Sequence, residues 1–230
     1  ASAYDLGAAL IALRSRQRPG PSLLEQLAAV RPTLGAADPS TGSVGTTVML
    51  PRGNLSPARD RFVGRASELA ALSARIGRAE RLIVLLGPGG IGKTRLARQA
   101  VAELPVEPVG GAWFFDLSEA RTVDGICLAV STALGLALAG TDPVSQIGHA
   151  LRARGPAVVI LDNLEQCAEP LVATVSRWVT LAPETCLICT SRVALRLPGE
   201  ASMSVGPLTA EEGVALFLDR SPVGIPSADR

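Results

Sequence analysis

Short apolar runs alternate with stretches of helical periodicity from residue 61 onward. An uninterrupted apolar run is typical of a strand in a parallel sheet, because helices cover both faces of such a sheet. The pattern predicts five strands, at residues 82–86, 112–117, 157–161, 185–190 and 201–205. We therefore expect an α/β fold with a five-stranded, mostly parallel sheet sandwiched between helices.

The segments between these runs have the periodicity of amphipathic helices. Helices are predicted at residues 67–79, 93–103 (starting at 92 or 93), 123–138, 143–154, 169–181 and 210–219. Ser67 and Thr209 are the expected N-caps of the first and last helices. Their hydroxyl oxygens can accept hydrogen bonds from the unpaired amides of a first helical turn.

The first sixty residues differ in character from the rest of the chain. Two helical patterns, at residues 4–16 and 22–30, precede a stretch rich in Pro, Gly, Ser and Thr, which is typical of a linker. We therefore predict an N-terminal helical segment with a linker (1–60), a domain of alternating strands and helices (61–219) and a tail that begins further domains (220–230).

The candidate chemistry begins in a glycine-rich loop, which we call the phosphate loop. It fits the pattern G-x-x-x-x-G-K-[ST] and consists of Gly87, Pro88, Gly89, Gly90, Ile91, Gly92, Lys93 and Thr94. Glycines let the backbone amides close around phosphates, at the positive end of the following helix. Lys93 would place its charge on the β- and γ-phosphates, and the hydroxyl of Thr94 would bind Mg²⁺.

A glycine-rich turn could match this pattern by accident. However, the apolar strand before the loop and the helix after it are the context that the motif requires. Lys93 is also the only lysine among 22 basic residues, and it stands at the motif's lysine position. The domain at residues 61–219 is thus predicted to be a P-loop NTPase. Guanine recognition normally uses an Asn-Lys-x-Asp stretch, which needs a second lysine, so we predict ATP rather than GTP.

A second motif, an apolar strand that ends in an aspartate, supports the nucleotide hypothesis. Four apolar residues, 158–161, end in Asp162, and ligands of parallel sheets bind beyond the carboxyl ends of the strands. Asp162 could therefore hold Mg²⁺ together with Thr94, although turns also often begin with Asp. Asn163 cannot act as a base, whereas Glu165 could orient water; alternatively, Glu165 is a solvated loop residue.

Composition narrows the choice of partners and location. The net charge is +1 and no half of the chain is strongly basic, so no direct nucleic-acid binding is indicated. The longest apolar stretch, about residues 126–139, is too short to span a membrane. The chain opens with Ala1 rather than Met and has no signal segment, so we expect a cytoplasmic protein cut from a longer chain.

The cysteines do not indicate a metal site. Cys186 and Cys189 form a C-x-x-C, but they lie on a predicted strand. Side chains three residues apart on a strand point to opposite faces, so one zinc ion could not easily bind both. We expect core thiols here.

Taken in order, several stretches resemble the STAND-class signal-transducing ATPases with numerous domains. This class includes the NB-ARC-like module of plant resistance proteins and apoptotic factors, and the chain is most similar to its bacterial regulator branch (LuxR- and AfsR-like). The resemblance rests on residues 61–65 with Glu68, the phosphate loop, residues 161–165, and residues 189–192 followed by 195–200; a weaker match joins residues 206–208 to Leu216 and Phe217.

The resemblance implies roles for further residues. The turn formed by Phe62, Val63, Gly64 and Arg65 would line adenine and ribose; alternatively, it is only a domain-entry loop. Arg192 would sense the γ-phosphate; alternatively, it forms a surface salt bridge. Arg95, directly after the loop, completes the nucleotide-binding candidates. The catalytic candidates are Lys93, Asp162, Glu165 and Arg192.

The function that the resemblance implies is an ATP/ADP switch with Mg²⁺, whose slow hydrolysis controls conformation, self-assembly or regulatory output. Members of the class often carry a second acid where this chain has Asn163, which argues against fast hydrolysis. Effector or sensor domains would lie outside this chain. Two alternatives remain, a P-loop kinase of small molecules and a nucleotide-binding scaffold that does not hydrolyse ATP.

Overall fold

The computed structural model describes residues 53–56 and 60–221, without the side chains of residues 166–170. All described residues belong to one compact unit. The two predicted N-terminal helices, most of the predicted linker and nearly all of the predicted tail lie outside the described residues.

Five strands form one sheet. They are β1 (Leu82–Leu86), β2 (Ala112–Asp116), β3 (Ala157–Asp162), β4 (Thr185–Ser191) and β5 (Ala201–Ser204). Their order across the sheet is β2-β3-β4-β1-β5, and every neighbouring pair is parallel. The predicted α/β class and the five strands are thus confirmed. Because the strands are parallel, the carboxyl ends of β1, β3 and β4 meet at one edge of the sheet.

Helices cover both faces of this sheet. They are α1 (Ala66–Gly77), α2 (Lys93–Ala102), α3 (Val123–Leu134), α4 (Pro143–Arg154), α5 (Ala168–Leu181) and α6 (Ala210–Arg220), with a 3-10 turn at Leu164–Cys167. One hydrophobic core joins the sheet to α3, α4 and α5, and the other joins it to α1 and α2. Successive strand residues alternate between the two cores, which explains the uninterrupted apolar runs.

Two predicted helix ends are wrong, and one predicted cap is confirmed. Helix α1 begins at Ala66, after Arg65 in the left-handed conformation (φ 59°), so Ser67 is not its N-cap; the Ser67 hydroxyl donates to Glu68 instead. Helix α3 ends at Leu134 because Gly135 adopts φ 66° and closes the helix. Thr209 caps α6 in a capping box with Glu212.

The C-x-x-C cysteines lie on opposite faces of β4, as expected. Cys186 packs in the core with α1 and α2, whereas Cys189 packs in the core with α3, α4 and α5. Burial raises the pKa of the Cys186 thiol to about 12. Among the residues that the structure describes, no three His, Cys, Asp or Glu side chains form a group able to hold a metal ion.

The last part of the predicted linker lies along the outer edge of β2. Gly53 pairs with Ala112, and the side-chain amide of Asn54 accepts from the Phe114 amide (2.6 Å) and donates to its carbonyl (2.9 Å). Asn54 therefore pairs with β2 much as a neighbouring strand would. Within the described part of the chain, no helix is long and apolar enough to cross a membrane.

Candidate nucleotide-binding site

The phosphate loop connects the end of β1 to the start of α2. Gly87 donates its amide to the Ser191 carbonyl (3.2 Å), and a Cβ at this position would lie 2.6 Å from the Val205 carbonyl oxygen. Gly90 (φ 74°) and Gly92 (φ 102°) adopt conformations that favour glycine. The loop is followed directly by the first turn of α2, whose amides have no hydrogen-bond partner within the helix and can bind an anion.

Lys93 lies at the floor of the loop with only 8% of its surface exposed. Its ammonium donates to the carbonyls of Gly87 (2.7 Å) and Pro88 (2.9 Å). Burial lowers the pKa of Lys93, an effect that the negative charge of Glu165 partly opposes. A buried ammonium held only by neutral carbonyls can gain energy by binding phosphate oxygens, because charged acceptors form stronger hydrogen bonds.

Thr94 and Asp162 meet beside this lysine. The Thr94 hydroxyl donates to Asp162 Oδ1 (2.7 Å), and the Thr190 hydroxyl of β4 donates to the same oxygen (2.5 Å). Asp162 is 5% exposed. A hydroxyl and a carboxylate at hydrogen-bonding distance are hard oxygen donors, so this pair fits Mg²⁺ bound alongside phosphates.

A further carboxylate, Asp116, lies at the end of β2 in register with Asp162. The Asn163 side-chain amide donates to both Asp116 Oδ1 and Asp162 Oδ2, each at 3.2 Å. Burial raises the pKa of Asp116, but hydrogen bonds from Ser118 and Asn163 lower it more. Asp116 was not predicted from the sequence, although an aspartate after apolar strand residues is the pattern that identified Asp162.

Glu165 and Arg192 form an ion pair on the rim of the loop. Arg192 Nε lies 2.9 Å from Glu165 Oε1; the arginine is 59% exposed and the glutamate 13%. A Cβ at Gly89 would lie 3.1 Å from Arg192 Nη2, so the guanidinium lies against the phosphate loop. The structure thus brings both candidates to the loop, with Arg192 in a surface salt bridge and Glu165 largely shielded from solvent.

These residues surround an open cleft of about 240 Å³. Its lining residues are Gly89, Gly90, Gly92, Lys93, Thr94, Arg95, Asn163, Glu165 and Arg192. Three other candidates lie behind the lining: Gly87 and Pro88 bind Lys93, and Asp162 binds Thr94. The predicted phosphate-binding and metal-binding candidates are therefore neighbours in the fold.

The turn at residues 62–65 contacts the phosphate loop through the side chain of Arg65. Arg65 is 5% exposed, and its Nη2 donates to the carbonyls of Ile91 (2.7 Å) and Gly206 (2.9 Å) while its Nη1 binds Glu68 (3.1 Å). Because protein acceptors engage the Arg65 guanidinium, the side chain holds the loop in place. Phe62 packs against the core with α1 and α2, and Val63 is half-buried.

Arg95 lines the cleft, but its guanidinium faces the segment before this turn. Arg95 Nη2 donates to the carbonyls of Asp60 and Arg61, each at 2.7 Å. Gly64 adopts φ 73°, and a Cβ there would lie 2.9 Å from the side chain of Glu212. This contact of Glu212 with the turn was not predicted, because the sequence pattern shows Glu212 only as part of the last helix.

Comparisons with known proteins place this geometry in a family. The model of the AAA domain family matches residues 76–194, just over half of the chain. An uncharacterized protein of Mycobacterium tuberculosis is 31% identical over 165 residues, which are 70% of this chain and 41% of that protein. Another protein of this organism, provisionally named an HTH-type transcriptional regulator, is 29% identical over 61% of this chain and 16% of its own length. The chain thus spans less than half of these relatives.

Solved structures share the fold at low sequence identity. A STAND protein with a tetratricopeptide repeat sensor from Pyrococcus horikoshii superposes with a TM-score of 0.53 at 21% identity, over 74% of this chain and 27% of that one. Cdc6p from Pyrobaculum aerophilum gives 0.58 at 19% identity, over 72% and 52%. With the family match and the phosphate loop on the β1–α2 connection, the chain belongs to the AAA domain family and carries an AAA-type P-loop ATPase domain.

Proposed function

We propose that this chain is the ATP- and ADP-binding switch module of a signal-transduction ATPase of the NB-ARC-like, STAND class. The observation that carries the proposal is the convergence of Lys93, Thr94, Glu165 and Arg192 on one cleft. The first two can bind phosphates and Mg²⁺. The last two form an ion pair that a third phosphate could disrupt.

The phosphates would lie along the amides of the phosphate loop and the first turn of α2. Lys93 would exchange its contacts with Gly87 and Pro88 for phosphate oxygens. Thr94 and Asp162 would hold Mg²⁺, which neutralises charge on the β- and γ-phosphates. The turn at residues 62–65 would lie beside adenine and ribose, fixed there by Arg65 and Arg95.

ATP and ADP would differ in what they do to the rim. A γ-phosphate is a stronger partner for the Arg192 guanidinium than one carboxylate, because it offers more oxygens and more negative charge. Its arrival would release Glu165 from Arg192, and Glu165 could then orient water. ADP would leave the Arg192–Glu165 pair intact. The state of this pair would thus report which nucleotide is bound.

We expect hydrolysis to be slow, because position 163 carries an amide and Glu165 begins in an ion pair. The output would be a change of conformation and self-assembly in a longer cytoplasmic protein with effector or sensor domains. The fold likeness to a STAND protein and the relative named as a transcriptional regulator support this assignment.

A nucleotide-binding scaffold without hydrolysis is the second candidate. Two side chains, Asn163 and Glu165, would lie near the water that attacks the γ-phosphate, and both already have partners. Asn163 donates to two aspartates, and Glu165 pairs with Arg192, which favours the scaffold. Phosphate release separates the two functions. A switch ATPase should release phosphate faster than its Glu165→Gln variant, whereas a scaffold should not.

The proposal is tested by titrating the purified chain with ATP, ADP and GTP in the presence of Mg²⁺. Mass spectrometry of the denatured protein would identify any nucleotide retained through purification. We expect ATP and ADP to bind and GTP to bind more weakly. Failure to bind ATP or ADP, in a sample whose circular dichroism shows folded protein, would refute the proposed function.

A further inference from the structure

Helix α6 contacts the turn at residues 62–65 through one carboxylate. Glu212 Oε1 accepts from the Arg65 amide at 2.5 Å, and Oε2 accepts from the Thr209 amide at 3.0 Å. These two hydrogen bonds lower the pKa of Glu212. The same side chain therefore closes the capping box of α6 and fixes the left-handed residue that precedes α1.

A second contact joins the other end of α6 to the same segment. Arg220 Nη2 donates to the Arg61 carbonyl at 2.8 Å, and Nη1 lies 3.1 Å from Asp60 Oδ2. Arg95, from the helix that follows the phosphate loop, binds the same two residues. Residues 60–65 are thus held by side chains of both α2 and α6.

Few other contacts among the described residues fix α6 to the domain. None of its side chains is buried, and Val214, Phe217 and Leu218 are more than half exposed. An element with few buried apolar contacts belongs to the least stable parts of a fold and can detach at low cost. The position of α6 therefore depends strongly on its polar contacts with residues 60–65.

Arg65 connects this helix to the phosphate loop. Its amide binds Glu212 of α6, while its guanidinium donates to the Ile91 carbonyl within the loop and to the Gly206 carbonyl before α6. The Arg65 side chain is almost fully buried, so little water competes for its guanidinium. A displacement of α6 would remove one of the contacts that orient Arg65.

We propose that Glu212 is a positioning residue that couples the docking of α6 to nucleotide binding in the phosphate loop. The coupling runs from Glu212 through Arg65 to Ile91, and it rests on the proposed function of the cleft. Docked α6 holds the loop and the 62–65 turn ready for nucleotide. Because linkage is reciprocal, bound nucleotide must in turn strengthen the docking of α6.

The test compares Glu212→Gln with two matched variants of the full chain. Glu211→Gln makes the same chemical change one residue earlier, on an exposed side chain of the same helical turn. Thr209→Ala removes the other half of the capping box but leaves Glu212 able to bind Arg65. In Glu212→Gln, the new amide NH₂ faces one of the two backbone donors, so one hydrogen bond is lost.

We expect the Kd for Mg·ATP to rise about fivefold in Glu212→Gln, which is at the lower end of typical coupling between two sites. In Glu211→Gln and Thr209→Ala, the Kd should change less than about twofold. Hydrogen exchange of the α6 amides should slow when Mg·ATP binds to the parent chain and to Glu211→Gln, but not when it binds to Glu212→Gln. A role confined to capping α6 would instead give Glu212→Gln and Thr209→Ala the same behaviour.

Two results would overturn this inference: equal Kd values for Glu212→Gln and Glu211→Gln, or α6 exchange that nucleotide leaves unchanged in the parent chain. Both require that the parent chain binds ATP. A parent chain that fails to bind ATP refutes the proposed function itself, so the two failures are distinguishable.

Discussion

The floor and the rim of the cleft hold their charged groups in different ways. On the floor, Lys93 and Asp162 are at most 8% exposed, and each has at least two hydrogen-bond partners. On the rim, Arg192 is 59% exposed and rests on one ion pair with Glu165. The second carboxylate oxygen of Glu165, Oε2, is buried without a partner among the described residues.

This difference separates two tasks of a nucleotide site. The floor is organised before a ligand arrives, so binding there costs little reordering of side chains. The rim can exchange partners, because an ion pair with one well-exposed member contributes little free energy and is easily replaced. We infer that the floor supplies affinity for any nucleotide and that the rim supplies discrimination between nucleotides.

The largest expected effect tests the floor. Lys93→Ala should raise the Kd for both ATP and ADP about a hundredfold, since charge-assisted hydrogen bonds contribute about 1.5–3 kcal/mol each. Isothermal titration calorimetry of both nucleotides would measure the change. Arg98→Ala, which removes a positive charge from the same helix but outside the cleft lining, should leave the Kd within about twofold. Similar losses in both variants would show that net charge, not the floor, determines affinity.

The metal-binding part of the floor should give a smaller effect that depends on Mg²⁺. Asp162→Asn should raise the Kd for ATP about tenfold in Mg²⁺, because it removes a charged ligand, and should change it little in EDTA. Thr190 can still donate to the asparagine oxygen, which limits the structural disturbance. An equal loss of affinity with and without Mg²⁺ would contradict the assignment of Asp162 to the metal.

The sequence predicted the floor far better than the contacts that hold Arg65. Glycines, a lysine and a hydroxyl at fixed spacing determine a loop largely through backbone geometry, so the floor follows from local pattern. The contacts of Arg65 with Gly206 and Glu212 join residues more than 140 positions apart. Such contacts depend on how β5 and α6 pack, which periodicity does not specify.

Helix boundaries show the same limit. Thr209 was recognised as a cap because its own side chain binds the next turn, a local interaction. Ser67 was mistaken for a cap because α1 begins after a left-handed Arg65, whose conformation is fixed by tertiary contacts. Arg192 and Glu165 were identified individually, but only the folded chain shows that they pair.

The rim should affect selectivity more than affinity. Arg192→Gln should reduce the preference for ATP over ADP about threefold, because the variant loses the charge that would meet the γ-phosphate. The ratio of the two Kd values measures this preference. Arg152→Gln, an exposed arginine at the end of α4, serves as the control. An Arg192→Gln variant that weakens ATP and ADP equally would assign Arg192 to the floor.

The smallest expected effect is on folding stability in the absence of nucleotide. Thr190→Val removes one hydroxyl from the buried Asp162 and should lower the free energy of unfolding by about 1 kcal/mol. A double-mutant cycle of Arg192→Gln and Glu165→Gln should give a coupling of about 0.5 kcal/mol or less, since Arg192 is well exposed. Urea unfolding measures both quantities. The test is whether the Arg192–Glu165 coupling is smaller than the effect of Thr190→Val. A rim pair that stabilised the fold as much as the Thr190 hydroxyl would cost too much free energy to break, and it could not exchange partners with a phosphate.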